Sequence, residues 1–201
     1  MKKQILTLIC CTLLLSTFSF AQKARLGFSG GATLANMSMK LDDIKISASS
    51  KIGFTAGLLL DKPISDHVIF QPAVNFVQKG TKSKESDGSA TLNYLEVPLN
   101  FMYRSNNRDG FFAGAGPSFA YGLGGKSKDG DFKEDINFGS GDNDDLKSFE
   151  FGANITAGYI TRSGFLIAVN YNMGISNLEI DSDYGKTRNN YWGLRLGYIL
   201  K

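Results

Sequence analysis

The chain has 201 residues, among them 23 glycines, 15 phenylalanines and 8 tyrosines, and carries a formal net charge of +3. Many glycine and aromatic residues, without helical periodicity over any long segment, favour an all-β protein of one domain. No apolar run reaches the roughly 20 residues that a membrane-spanning helix needs. The small net charge argues against a nucleic-acid-binding protein.

The first 21 residues differ from the rest of the chain. Two lysines follow Met1, residues 5–15 are apolar, and the segment ends in small residues up to Ala21. These features predict a signal peptide over 1–21, cleaved after export by the Sec pathway, followed by one domain over 22–201. Both cysteines lie in the leader, so the mature domain is expected to have no disulfide and no thiol metal site.

Segments with period-two alternation recur through the mature chain and are separated by polar pieces rich in glycine and aspartate. They predict eight strands, at about 24–36, 51–61, 68–79, 91–104, 110–123, 148–161, 165–176 and 190–200. No helix of useful length fits between them.

The two faces of these strands differ in size and polarity. In the fourth segment Leu95, Leu99 and Phe101 alternate with Glu96 and Asn100, and most of the other segments set large apolar residues against Gly, Asn and Thr. An eight-stranded barrel has room inside only for modest side chains. The bulky face is therefore predicted to point outward, where lipid is the only solvent that tolerates it, and Glu96 is predicted to point inward.

The connections between strands alternate in length. Short turns with the sequences ISDH, SNNRDG and TRSG alternate with long connections at 37–50, 80–90, 124–147 and 177–189. A transmembrane barrel has this arrangement, with tight periplasmic turns and longer extracellular loops. The sequence thus predicts an all-β, eight-stranded antiparallel transmembrane β-barrel in the outer membrane.

Several side chains are predicted to have particular places in such a barrel. Five charged residues are expected in the lumen as a paired, structural network: Arg25, Lys79, Glu96, Glu150 and Arg195. Aromatic girdles at the two interfaces are predicted from Tyr103, Phe111, Phe112, Tyr159, Phe165, Trp192 and Tyr198. Prolines remove an amide donor from the ladder, so local bulges are expected at Pro72, Pro98 and Pro117.

Blocks of sequence resemble a known family. The blocks are YLEVPL (94–99), FQPAVNFVQKG (70–80), GAGPSFAYGL (114–123), NYNMGISNL (170–178) and NNYWGLRLGY (189–198). They are similar to the PorT-type outer-membrane β-barrel family of Bacteroidetes-type, Gram-negative bacteria. The resemblance implies an eight-stranded outer-membrane barrel, and the namesake takes part in protein secretion. A shared fold does not transfer that role.

The last strand also resembles the signal that the barrel assembly machinery recognises. Its elements here are Gly193, Leu196 and Tyr198, although the chain continues to Lys201 instead of ending on an aromatic residue. The resemblance implies that this machinery is a partner during biogenesis, and outer-membrane lipid is the other expected partner.

Candidate chemistry is sparse. His67, the only histidine, lies in a predicted periplasmic turn with no serine–acid arrangement that could act beside it. The acids of loop 124–147, including Asp142, Asp144 and Asp145, could hold a divalent cation, but their spacing matches no EF-hand loop and a solvated loop is favoured. We therefore expect no catalytic, cofactor or metal residues and no enzyme activity.

The function predicted from sequence is structural or interactive. The barrel would assist secretion or surface assembly, with loop 124–147 as the surface for an envelope or secretion partner. A narrow porin-like channel for small solutes is the alternative, and a lipid-modifying enzyme is the less favoured one.

Overall fold

The computed structural model describes residues 24–41, 44–83, 88–106, 108–141, 144–180 and 185–200. The predicted signal peptide lies outside these ranges. Within them, no helix is long and apolar enough to cross a bilayer.

Twelve strands follow one another along the described chain. They are β1 (Arg25–Leu41), β2 (Ile44–Ser47), β3 (Ser49–Pro63), β4 (Val68–Lys82), β5 (Ser89–Arg104), β6 (Gly110–Asp129), β7 (Phe132–Ile136), β8 (Phe138–Gly139), β9 (Leu146–Lys147), β10 (Phe149–Ile160), β11 (Phe165–Gly174) and β12 (Lys186–Ile199). Eight of them are neighbours in the order β10-β11-β12-β1-β3-β4-β5-β6. Neighbouring strands among these eight are all antiparallel. The first and last of them, β10 and β6, also pair with each other, which closes the sheet into a barrel. The predicted eight-stranded antiparallel barrel is confirmed.

Side-chain exposure alternates along each barrel strand, as the pleat requires. In β5, Leu95, Phe101 and Tyr103 are about half exposed, whereas Glu96 and Asn100 are buried. The outward apolar band of this strand spans 95–103, and a transmembrane β-strand needs roughly 9–11 residues. The bulky face therefore lies outside the barrel and the small polar face lies inside.

Glycines on the inner face let neighbouring strands approach closely. A Cβ atom added at Gly31 would lie 1.9 Å from the carbonyl oxygen of Leu194 on the adjacent strand. No other residue fits there without moving the backbone, which is a specific reason for glycine in the crowded interior of a small barrel.

The long connections are shorter than the sequence predicts, because the strands continue past the apolar band. β1 extends to Leu41 and forms a hairpin with β2, and β6 extends to Asp129 and forms a hairpin with β7. The predicted loop 124–147 is therefore in part a β-ribbon. By contrast, the three short turns are found where they were predicted, at 64–67, 105–109 and 161–164.

The expected bulges at the prolines are absent from the described ladders. Pro72 pairs with Leu99. Three residues further along the strand, Asn75 pairs with Glu96 in the same register. A proline loses one donor, but its backbone stays extended and the ladder skips two pairs without an extra residue. Register shifts occur instead at 50–55 of β3 and 93–94 of β5.

One predicted girdle residue faces the other way. Phe112 is 4% exposed and lies inside the barrel, because alternation turns it away from its exposed neighbour Phe111. The Phe111 ring packs edge-on against Tyr159 outside, and Phe165 packs against Tyr198 in the same manner. These contacts form an aromatic girdle at the short-turn end.

Candidate functional site: the barrel interior and its two ends

A buried lysine between two carboxylates occupies the upper half of the lumen, toward the long connections. Lys79 Nζ lies 2.8 Å from Glu150 Oε1 and 3.2 Å from Glu96 Oε2. All three side chains are at most 2% exposed. They come from β4, β5 and β10, so the cluster crosses the barrel and ties three strands together.

Uncharged groups complete this Lys79 cluster. Tyr191 Oη donates to Glu96 Oε1 at 2.6 Å, and Asn189 Nδ2 donates to Glu150 Oε2 at 3.0 Å. Lys79 Nζ also lies 4.7 Å from the centre of the Tyr94 ring, within cation–π distance. Charges taken from water are stabilised when such donors and acceptors surround them, so the cluster has the character of a structural network.

A second ion cluster lies at the short-turn end and was missed in the sequence. Fully buried Asp61 contacts Arg104 through both carboxylate oxygens and Arg25 Nη2 at 2.7 Å. Gln71 Nε2 donates to the same carboxylate at 3.2 Å. The alternation that placed Glu96 inside also places Arg104 and Asp61 inside, so the sequence pattern could have predicted that both side chains are buried in the lumen.

Amides and one arginine fill the middle of the lumen. Asn154 Nδ2 donates to Asn100 Oδ1 at 3.0 Å, and Asn170 Nδ2 donates to Asn154 Oδ1 at 3.3 Å. Arg195 is 9% exposed, and its Nε has no hydrogen-bond partner among the described residues. The five charges predicted for the lumen are therefore found in three places. Lys79, Glu96 and Glu150 form the first ion cluster, Arg25 lies at the rim in the second, and Arg195 lies apart from both.

Apolar side chains also fill part of the lumen at the short-turn end, beside the Asp61 cluster, contrary to the uniformly small and polar interior that the sequence suggested. Buried apolar side chains meet there from nearly every strand: Leu59, Ile69, Ala73, Met102, Phe112, Ile160, Leu166, Ala168 and Ile199. Removing this much apolar surface from water contributes to barrel stability.

The other end of the lumen is covered by residues from the long connections. Leu146 and Leu178 pack with Leu92 and Tyr94 in a buried cluster, against which Phe138 also packs. The Phe138 ring meets the Tyr94 ring edge-on, with 5.3 Å between their centroids. We call this cluster the apolar cap, and it lies directly above the Lys79 cluster.

The remaining candidates for chemistry are His67 and the acids of loop 124–147. His67 is exposed, and its Nδ1 lies 3.0 Å from the Arg104 carbonyl oxygen. Asp144 accepts from the backbone N–H of Gly141, and Asp145 from that of Asn137, both at 2.8 Å. Asp142 lies outside the described residues, within which no group of three acidic, histidine or cysteine side chains could hold a metal ion.

The predicted C-terminal signal residues occupy both faces of β12. Leu196 is 62% exposed on the outward face, and Tyr198 contacts the rings of Phe28 and Phe165. Gly193 faces inward, where a Cβ would lie 2.4 Å from Asn170 Oδ1.

Comparison with known proteins agrees with this architecture. Neisserial surface protein A (NspA) is 13% identical, with a TM-score of 0.52 over 88% of this chain and 99% of that chain. Ail, the attachment invasion locus protein of Yersinia pestis, is 15% identical, with a TM-score of 0.49 over 89% of this chain and 100% of that one. At such identities the NspA comparison supports the fold alone. No curated protein matches the sequence.

The profile of one protein family, described as outer membrane protein beta-barrel domain, matches residues 20–179. This range includes most of the barrel strands and therefore most of the chain. The chain accordingly belongs to the outer membrane protein beta-barrel domain family and is an outer-membrane β-barrel protein.

Proposed function

We propose that this protein is a non-conducting barrel with a structural or interactive role, which presents its strand extensions to an envelope or secretion partner. The single observation that carries the proposal is the filling of the lumen. Apolar side chains and the Asp61 cluster fill the short-turn end, the amide chain and the Lys79 cluster fill the middle and the upper half, and the apolar cap covers the other end. A solute would have to separate buried ion pairs and pass two sets of packed apolar side chains.

The porin-like alternative is tested by conductance. The purified, refolded barrel is reconstituted into planar bilayers beside a general porin as a positive control. We expect no discrete current steps from this protein under conditions in which the porin conducts. Reproducible unitary steps that disappear after heat unfolding would overturn the proposal in favour of a small-solute channel.

The surface proposed for a partner is the ribbon of β6 and β7. Phe132, near its tip, is 83% exposed, and its neighbours Lys133 and Glu134 are also exposed. A large apolar side chain among charges suits a protein contact, since aromatic residues are enriched at interfaces. We propose that this partner takes part in secretion or surface assembly.

Photo-crosslinking tests this surface in living cells. A photoreactive amino acid at Phe132 is compared with one at Ser65 in a short turn, and captured proteins are identified by mass spectrometry. We expect one envelope protein to be captured from position 132 only. Identical adducts from both positions would contradict the proposal.

For biogenesis, we propose that Leu196 and Tyr198 act in recognition by the barrel assembly machinery after export of a Sec precursor. Replacing both by alanine is expected to lower the amount of heat-modifiable, folded barrel in the outer membrane severalfold. Alanine at Leu58 and Val74, which are also exposed on the lipid face, provides the matched control. Equal losses from both pairs would mean that lipid contact, not recognition, explains the effect.

A further inference from the structure

The outward apolar band ends sharply at the end with the long connections. Carboxamide side chains follow its last apolar residues on four strands: Asn36, Gln78, Asn93 and Asn190. Beyond them, basic side chains prevail on the outward face of the strand extensions: Lys40, Lys82, Lys126, Lys128, Lys186 and Arg188. We call these six residues the basic collar.

Strand register places lysines of this region side by side. Lys40 of β1 pairs with Lys186 of β12. Lys128 of β6 pairs with Lys133 of β7. Like charges directly opposite each other destabilise a sheet, whereas an anion lying across such a row would stabilise it.

Charge is sorted between the two faces of the β6–β7 ribbon. Lys126 and Lys128 alternate with Ser127 and Asp129, and Asp129 pairs with Phe132. The lysines therefore share the face that continues the lipid-exposed side of the barrel, and Asp129 lies on the opposite face. On the lysine face, Asp135 opposite Lys126 is an acid that partly offsets this charge.

Two surface cavities lie along the collar. One, of about 420 Å³, is lined by residues that include Lys40, Lys186 and Arg188. The other, of about 500 Å³, is lined by residues that include Asn93 and Lys126. The first cavity combines three cationic side chains with the neutral donors Ser38 and Asn190, which is the set that a phosphate oxygen requires. In the second cavity the acid Asp135 lies beside Lys126 and partly offsets its charge.

The collar lies at the depth of lipid head groups. Arg188 is two residues beyond Asn190 on β12, and Lys186 is four residues beyond it. A strand rises about 3.3 Å per residue, so with the usual tilt these charges lie roughly 5–10 Å outside the apolar band. The head-group region on each side of a bilayer has a similar thickness.

We propose that the basic collar binds the anionic, phosphate-bearing head groups of the surrounding lipid, with Lys40, Lys186 and Arg188 as one site. Basic residues near a membrane surface attract anionic lipid. Such binding holds the barrel at a fixed depth and relieves the repulsion between paired lysines. The proposal does not depend on the identity of any protein partner.

Trp192, the only tryptophan, provides the measurement. It lies outward on β12, six residues from Lys186, and its ring is 4.8 Å from that of Tyr171. The full mature barrel is reconstituted in mixed vesicles of phosphatidylglycerol and phosphatidylcholine, in which one or the other lipid carries brominated, quenching chains. We expect the quenching of Trp192 to show that phosphatidylglycerol is at least fivefold enriched around the barrel, which corresponds to about 1 kcal/mol. This enrichment should decrease at high salt.

Two sets of variants decide the outcome. The triple variant Lys40→Gln, Lys186→Gln and Arg188→Gln should abolish the enrichment, while Lys40→Arg with Lys186→Arg, which keeps the charge, should preserve it. These side chains are exposed, and gel heat-modifiability verifies that each variant is folded. Equal quenching by both lipids in the wild type, or unchanged enrichment in the triple variant, would overturn the proposal.

Discussion

Removal of Lys79 is the perturbation with the clearest expected effect on the barrel. The ammonium group lies 2.8 Å from one buried carboxylate and 3.2 Å from another. At an effective dielectric constant of 20, each such attraction is worth about 5–6 kcal/mol. In the variant Lys79→Met both attractions are lost, and Glu96 and Glu150 remain buried without their cation.

The expected loss is smaller than the two attractions together. Tyr191 and Asn189 continue to donate to the carboxylates, and the cost of desolvating the ammonium group disappears with it. Breaking a buried ion pair by removing one partner typically costs about 3–5 kcal/mol. We therefore expect Lys79→Met to lower the free energy of unfolding by about 3–5 kcal/mol.

Urea unfolding in phospholipid vesicles, followed by Trp192 fluorescence, measures this loss. The control is the triple variant Lys79→Met, Glu96→Gln and Glu150→Gln, which removes all three charges together. It should recover at least half of the loss, because uncompensated charge, rather than lost volume, causes most of it. A single variant within 1 kcal/mol of wild type, or a triple variant as unstable as the single one, would refute the reasoning.

Three further results are expected. Leu196→Arg on the lipid face should destabilise the barrel by about 2–4 kcal/mol in the same unfolding assay if the site lies near the bilayer midplane, and a tolerated arginine would mean that the faces are reversed. Gly31→Ala should cost about 1–3 kcal/mol by overpacking, whereas Gly30→Ala, whose Cβ would have its nearest contact at 3.5 Å, should be close to neutral; equal losses would exclude the steric explanation. A cysteine at Asp131 should react with an impermeant maleimide on intact cells and one at Ser65 only after permeabilisation, and the opposite pattern would invert the barrel in the membrane.

The barrel itself was predictable because alternation is a local property of the sequence. Large residues at odd positions of 95–103, with Glu96 and Asn100 between them, determine which face is outward. Closure into a barrel follows from the presence of eight such strands. Strand ends were less predictable. Lys126 and Lys128 suggest a solvated loop by composition, yet their backbone continues the ladder because the neighbouring strand is already in place to pair with it.

The interior was predicted only in part. Lys79, Glu96 and Glu150 could be assigned to the same side of the sheet, but their mutual distances depend on register and barrel shear, which alternation does not give. Phe112 was placed outside because strand-end aromatics are typical of interfaces. The structure turns it inward, where it joins residues such as Ile199 that lie far away in sequence.

Oxygen accessibility along β5 tests the central claim most directly. Nitroxide labels are placed one at a time at positions 95–103 of the reconstituted barrel, and collisions with oxygen and with a water-soluble nickel complex are measured. If lipid surrounds the bulky face, oxygen accessibility peaks at every odd position while the nickel complex is excluded there. High nickel accessibility at the odd positions would show that water surrounds this face and would contradict the account.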